Sequence, residues 1–180
     1  MIPVEWVLDL MMKVQSAHPY RSTYEQTSAS IARHASMRPL FSGAYGDAKT
    51  AALLVSVGRF ESELQPDAEG DCTKDGVNVK CTVSGAIPHS FCLLQVNESN
   101  FKGFGITREM IQTDIDVCVA TGLSMMHSSF AVCRALPLED RLRWYAGGGS
   151  GCPTGEDAMN KSRHRIAKGM WLFKASPPAW

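Results

Sequence analysis

The hydrophobic positions of this chain fall mostly at the three-and-four spacing of helices, interrupted by one stretch that alternates. Pro3 suits the first turn of a helix whose apolar positions include Val4, Val7, Leu8 and Met11. Ser22, Thr23, Tyr24 and Glu25 fit a capping box, which predicts a second helix running toward Ala35. Pro39 and Gly43 then break the pattern. Leu53, Leu54, Val57, Phe60, Glu61 and Leu64 follow one face of a third helix, with Glu61 on its apolar side, shortly before Pro66. Residues 67–90 are polar and glycine-containing, with β-branched alternation at Val77, Val79, Thr82 and Val83, and read as a small β-hairpin or sheet.

After a short apolar run, Phe91 through Asn97, a long helix is predicted over residues 114–133. Its inward face carries Ile115, Val119, Gly122, Leu123, Met126 and Phe130. Pro137 opens another helix, stopped by Gly147, Gly148 and Gly149. Thr154 with Asp157 caps a final helix ending near residue 173. Helices around one small β element make an α+β class. One domain is expected for 180 residues: a helical extension over 1–47, a core over 48–152, and a C-terminal helix and tail over 153–180.

Composition narrows the function classes. Eighteen basic residues balance eighteen acidic ones, without the basic excess that a nucleic-acid partner asks for. No unbroken apolar run approaches the roughly 18 residues of a bilayer span, so no membrane span is expected. Residues 1–14 carry Glu5, Asp9 and Lys13 and no basic leader region, so they do not read as a signal peptide. The six cysteines form no Cys-x-x-Cys pair and no histidine stands at zinc-ligand spacing, which argues against a metal site. Their even number allows up to three disulfides and an oxidising compartment, or else buried free thiols. Cys72 and Cys81 are spaced to staple a hairpin. Cys118 and Cys133 on one helix would stand roughly 22 Å apart and should not pair.

The candidate chemistry centres on Glu61. A carboxyl on the apolar side of a helix is costly unless neutral, paired or useful, and one that keeps its proton can give it to a glycosidic oxygen. Glu61-Ser62 ends a helix, and Ser90-Phe91-Cys92-Leu93-Leu94-Gln95-Val96-Asn97 follows the β-like stretch. Farther on come Asp114-Ile115-Asp116, Ala120-Thr121-Gly122, and Trp144-Tyr145-Ala146-Gly147-Gly148. In order and spacing these resemble the lysozyme-like superfamily, and within it the lytic transglycosylases. Those enzymes follow a Glu-Ser pair with Gly-Leu-Met-Gln-Ile and close the site with Tyr-Asn-Ala-Gly.

The resemblance implies a lysozyme-like fold with the β element beside an active-site cleft. It implies a cofactor-free muramidase acting on the glycan strands of peptidoglycan. Glu61 would be the catalytic acid and base; Ser62, Gln95 and Tyr145 would bind or orient substrate. Asn97 would make a turn. Two positions depart from the family pattern. Cys92 replaces a glycine, so the backbone there is not expected to need glycine-only geometry, and Ala146 replaces an asparagine. Ser90 stands where lysozymes carry a second aspartate. Without that carboxylate the substrate's own groups would close a 1,6-anhydro ring, which favours transglycosylation. Asp67, Asp71 and Asp75 are the alternatives for a hydrolase. A catalytically silent lysozyme-like module is the remaining reading.

The other chemistry-bearing residues read as bland. His89 is a lone loop histidine at the surface. Lys161, Arg163, Arg165 and Lys168 make the last helix basic and read as a solvated face. Peptidoglycan lies outside the cytoplasm, so the expected setting is the cell wall. The route would be a phage virion, with other virion proteins as partners, release through a holin, or processing of a periplasmic precursor.

Overall fold

A computed structural model describes residues 1–16 and 23–178. The architecture is helical with a small antiparallel sheet, an α+β arrangement. Helix α1 spans Val4–Val14 and α2 spans Tyr24–Met37, two residues beyond the expected end. The Ser22 end of the predicted capping box lies outside the described residues. Helix α3, Gly46–Ser62, is central: Gly46, Ala48 and every residue from 50 to 58 are buried. A helix apolar all round is wrapped by its neighbours rather than laid on them. Here α1 and α2 cover one side, and α8, Glu156–Ala175, covers the other in the most extensive helix pairing of the fold.

The chain then forms β1 (Glu69–Gly70), β2 (Thr73–Lys74), β3 (Val77–Asn78), β4 (Ser90–Phe91) and β5 (Val96–Asn97). Strands β1, β4 and β5 make one antiparallel sheet, with Gly70 opposite Ser90 and Ser90 opposite Asn97. Strands β2 and β3 form a separate hairpin, closed by the Cys72–Cys81 disulfide. Of the alternating β-branched residues, Val77 is in β3 but 64% exposed, and Val83 sits in a turn. Their alternation reflects a solvated hairpin rather than a core face.

Two short helices not anticipated from the pattern follow, α4 (Phe101–Phe104) and α5 (Arg108–Thr113), the second capped by Thr107 Oγ1, which accepts from Met110 N–H. Helix α6, Ile115–Val132, is capped by Asp114, whose Oδ1 accepts from Asp116 N–H at 2.8 Å. Among the described residues it is the one helix that reaches the length and mean hydropathy of a membrane span, though Ser, Thr, Gly and His interrupt its apolar run. It packs against α2, α5 and the short helix at Arg143–Gly147, and buries Cys118, Val119, Leu123 and Met126, as a core helix does.

The helix predicted from Pro137 is a 3-10 turn at Leu138–Asp140 and then α7, Arg143–Gly147. The break is made by Ser162 on α8, whose hydroxyl donates to Glu139 O and accepts from Leu142 N–H. Helix α8 starts after Gly155 with no side-chain cap, so Thr154 does not serve as one. Among the described residues the six cysteines are all bonded: Cys72–Cys81, Cys92–Cys118 and Cys133–Cys152. The hairpin staple is as expected, and Cys118 and Cys133 take different partners. One apolar core runs from Ile2 through Leu53, Leu54, Phe91 and Leu93 to Leu172, and α1 and α2 share it with the central helix.

Candidate active site

Helix α3 ends in two consecutive left-handed residues, Glu63 (φ 56°) and Leu64 (φ 63°). Their N–H groups return to Arg59 O and Gly58 O, closing the helix. Leu64, fully buried, is therefore a cap contact rather than a further helical position. In the last turn Phe60 faces outward, 42% exposed, against the expectation that it lies on the inner face. Glu61 turns into a cleft, its side chain 18% exposed. Glu63 points away and pairs with Arg59 at 3.6 Å.

Arg165, from the middle of α8, meets Glu61 there. Its Nη2 donates to Glu61 Oε1 at 2.6 Å, and its side chain is only 9% exposed. Burial raises the Glu61 carboxyl above the usual glutamate range; the charges of Arg165 and Lys161 pull it back down, and the charge of Asp71 adds to the rise. Burial wins, so the group holds its proton more tightly than a solvated glutamate. The basic helix is thus not solvated throughout. Ala158, Ser162, Arg165, Ile166, Gly169 and Leu172 form its buried stripe, and Arg165 could have been found from its place on that helical spacing.

The facing wall is a tight turn at residues 92–95. Cys92 takes φ 66° and Gln95 φ 49°, both left-handed. The left-handed geometry at Cys92 corrects the expectation from its replacing a glycine. The bridge to Cys118 on α6 anchors the side chain, and Cys92 N–H donates to Ala68 O at 2.8 Å. Gln95 is folded back on this turn: its Nε2 donates to Cys92 O at 3.0 Å and Ala68 O at 3.3 Å. Its Oε1 occupies the space where a side chain on Gly70 would begin, so any larger residue there would displace the Gln95 amide from this position. Leu94 fits into α6 at Gly122 in the same way, which accounts for the small residue read from the sequence.

Ser62 and Tyr145 hold the same turn from opposite sides. Ser62 Oγ lies against Leu93 O at 2.9 Å and Gly58 O at 3.1 Å, and the residue is buried. The structure places Ser62 behind the cleft, bracing its wall, rather than on the surface a substrate would touch. Tyr145 lines the cleft, and its hydroxyl donates to Leu94 O at 2.5 Å. Burial and the Glu61 charge raise that phenol well above its ordinary value, so it stays protonated.

The cleft encloses about 610 Å³, within the range of roughly 300–1,000 Å³ typical of small-molecule sites. Glu61, Gln95 and Tyr145 line it together, with Asn97, Asn100, Trp144 and the glycines after Tyr145. Asp71 lines it as well, whereas Asp67 and Asp75 do not. Asp71, itself left-handed at φ 50°, accepts a short hydrogen bond from Ser90 Oγ. A carboxylate from the neighbouring loop therefore stands beside Ser90, where the sequence motif itself has none. Asn97 accepts from Ser99 N–H through Oδ1 and shapes a turn, as expected. His89 is not a bare surface residue: its ring bridges Thr73 Oγ1 and Glu98. Among the described residues no three His, Cys, Asp or Glu side chains gather to hold a metal ion.

Compared with protein-family models, with curated protein sequences and with solved structures, the chain matches none. The site therefore stands on its own geometry: a carboxyl raised by burial, a guanidinium on one of its oxygens, a second carboxyl-bearing side chain and a largely polar cleft.

Proposed function

We propose that this chain is a lysozyme-like muramidase that cleaves the MurNAc-β-1,4-GlcNAc bond of peptidoglycan as a lytic transglycosylase. The observation that carries the reading is Glu61: a carboxyl biased toward its protonated form, opening into a cleft that also holds Gln95 and Tyr145. Glu61 gives its proton to the glycosidic oxygen as the C1–O4 bond breaks, and the departing strand leaves with a free 4-hydroxyl. The Glu61 carboxylate then takes the proton of the 6-hydroxyl as that oxygen bonds C1. The ring closes to a 1,6-anhydro end, no water is consumed, and Glu61 is again protonated. Tyr145, protonated and donating to Leu94 O, serves as a wall and takes no part in proton transfer. The substrate places the reaction at the cell wall, and three disulfides suit an oxidising compartment. A phage virion or a holin would carry the protein there, with processing in the periplasm as the alternative route.

Asp71 favours one second reading, hydrolysis, because it puts another carboxylate in the same cleft. Mass spectrometry of fragments released from purified peptidoglycan separates the two. Under the transglycosylase reading, fragments end in anhydro-muramic acid, vanish with Glu61→Gln, and persist in kind with Asp71→Asn. Reducing ends that depend on both Glu61 and Asp71 would establish a hydrolase. Fragments unaffected by Glu61→Gln, or no fragments from the wild type, would overturn the enzymatic reading and leave a binding module.

A further inference from the structure

A second basin, of about 330 Å³, opens beside the cleft and is lined by Phe60, Asn160, Lys161, His164 and Arg165. Lys161 and Arg165 also line the cleft, so the two cavities share a wall made by one face of α8. Arg165 is 7% exposed, yet among the described residues its Nε meets no acceptor, and its one ion-pair partner is the Glu61 carboxyl at 2.6 Å. A guanidinium offers five donors in a planar fork and suits carboxylates in pairs of bonds. Lys161 adds a second positive charge, pairing with the exposed Asp157 at 2.7 Å. The opposite side is aromatic: Phe60, left exposed by the last turn of α3, stands edge-on to His164 with ring centres 4.5 Å apart.

We propose that this basin receives a carboxyl-bearing side branch of the glycan lying in the cleft, with Arg165 and Lys161 taking the carboxylate and the Phe60–His164 pair flanking its apolar part. The proposal rests on the muramidase reading, under which that branch is the acidic stem peptide of peptidoglycan. A linear sugar chain fills a cleft without needing a cationic outlet at its side; a glycan with anionic branches does. The shared wall puts that outlet next to Glu61, so the branched sugar is registered beside the acid. A glycan without such branches, chitin for example, gains nothing from the basin.

His164 and Phe60 line the basin and not the cleft, so His164→Glu and Phe60→Ala test it. Cleavage is compared on peptide-bearing strands and on strands stripped of peptide by an amidase. His164→Glu sets a like charge beside the bound carboxylate and Phe60→Ala removes its aromatic flank, so kcat/KM on peptide-bearing strands should fall by about tenfold or more relative to stripped strands. An unchanged ratio overturns the proposal. In parallel, the free stem tetrapeptide is titrated into the wild type and followed by amide NMR, with shifts expected over residues 160–165 and lost in His164→Glu. Shifts confined to the cleft, or none, also overturn it; the same spectra report whether the variants are folded. If the wild type cleaves neither strand, the muramidase reading fails and the peptide titration alone decides the basin.

Discussion

The Glu61 carboxyl, raised by burial, is held against the Arg165 guanidinium at 2.6 Å, and the balance between that pairing and burial is the adjustable quantity of the site. Arg165→Met removes the main downward pull on Glu61, so the carboxyl should stay protonated to higher pH. The basic limb of the kcat/KM profile then moves up, and an unmoved limb would show that Arg165 does not tune the acid. Stability follows the same sign. A raised carboxyl stabilises the fold below its ordinary value of 4.5 and loses that contribution as pH climbs through its folded value. Thermal melts between about pH 4 and pH 8 should show a decline with pH that is absent in Glu61→Gln. Glu61, Gln95 and Tyr145 were singled out from motif order in the chain, and the fold brings all three to one cleft. Arg165 was not read, since its partner lies 104 residues away and only packing brings them together. Asp71 was one of three equivalent loop aspartates until the hairpin set its direction.

The turn at residues 92–95 is the element on which cleft geometry depends. It is held by the Cys92–Cys118 bridge, the Ser62 and Tyr145 hydroxyls, and Leu94 seated at Gly122. Removing the bridge as Cys92→Ala with Cys118→Ala should cost about 3.5 kcal/mol, the chain-entropy value for a loop of this size. Cys92→Gly with Cys118→Ala should recover about 1 kcal/mol of that in chemical denaturation, because glycine accepts φ 66° without a Cβ penalty. Equal losses would mean the turn relaxes out of the left-handed region once the bridge is gone. Gly122→Val should cost about 1–3 kcal/mol by overpacking Leu94, with activity falling alongside as Gln95 shifts. Long helices were legible from apolar spacing, as α1, α2, α3, α6 and α8 show. The short pieces α4 and α5 were not: α4 closes on the left-handed Gly105, and α5 stops at Asp114, which caps α6. The end of α7 at Gly147 was legible, but not its late start, because Ser162 claims the backbone at Glu139 and Leu142.

Across the whole molecule, Asp140 links the 3-10 turn to α7 and α8. Its side chain, 4% exposed, accepts from Arg163 at 2.8 and 3.1 Å and pairs with Arg143 at 2.8 Å. Those donors, Arg163 first, hold its carboxyl below the ordinary aspartate value of 3.8. The stabilisation is present above that value and is lost as pH falls through the folded one, so the fold should weaken in acid through this cluster. Asp140→Ala, which strands the largely buried Arg143, should cost about 3–5 kcal/mol in urea unfolding at neutral pH. A loss under 1 kcal/mol would place the cluster at the solvated surface. The α+β class was legible from the pattern, whereas the wrapping of α3 by both ends of the chain was not, because periodicity reports a face and α3 has none free. That wrapping sets a schedule for the protein's own synthesis. Glu61 leaves the ribosome well before its guanidinium, which comes with α8, 104 residues farther along the chain. Until α8 docks, Glu61 stands against solvent and the cleft lacks a wall, so under the proposed reading the nascent chain could not yet cut its substrate.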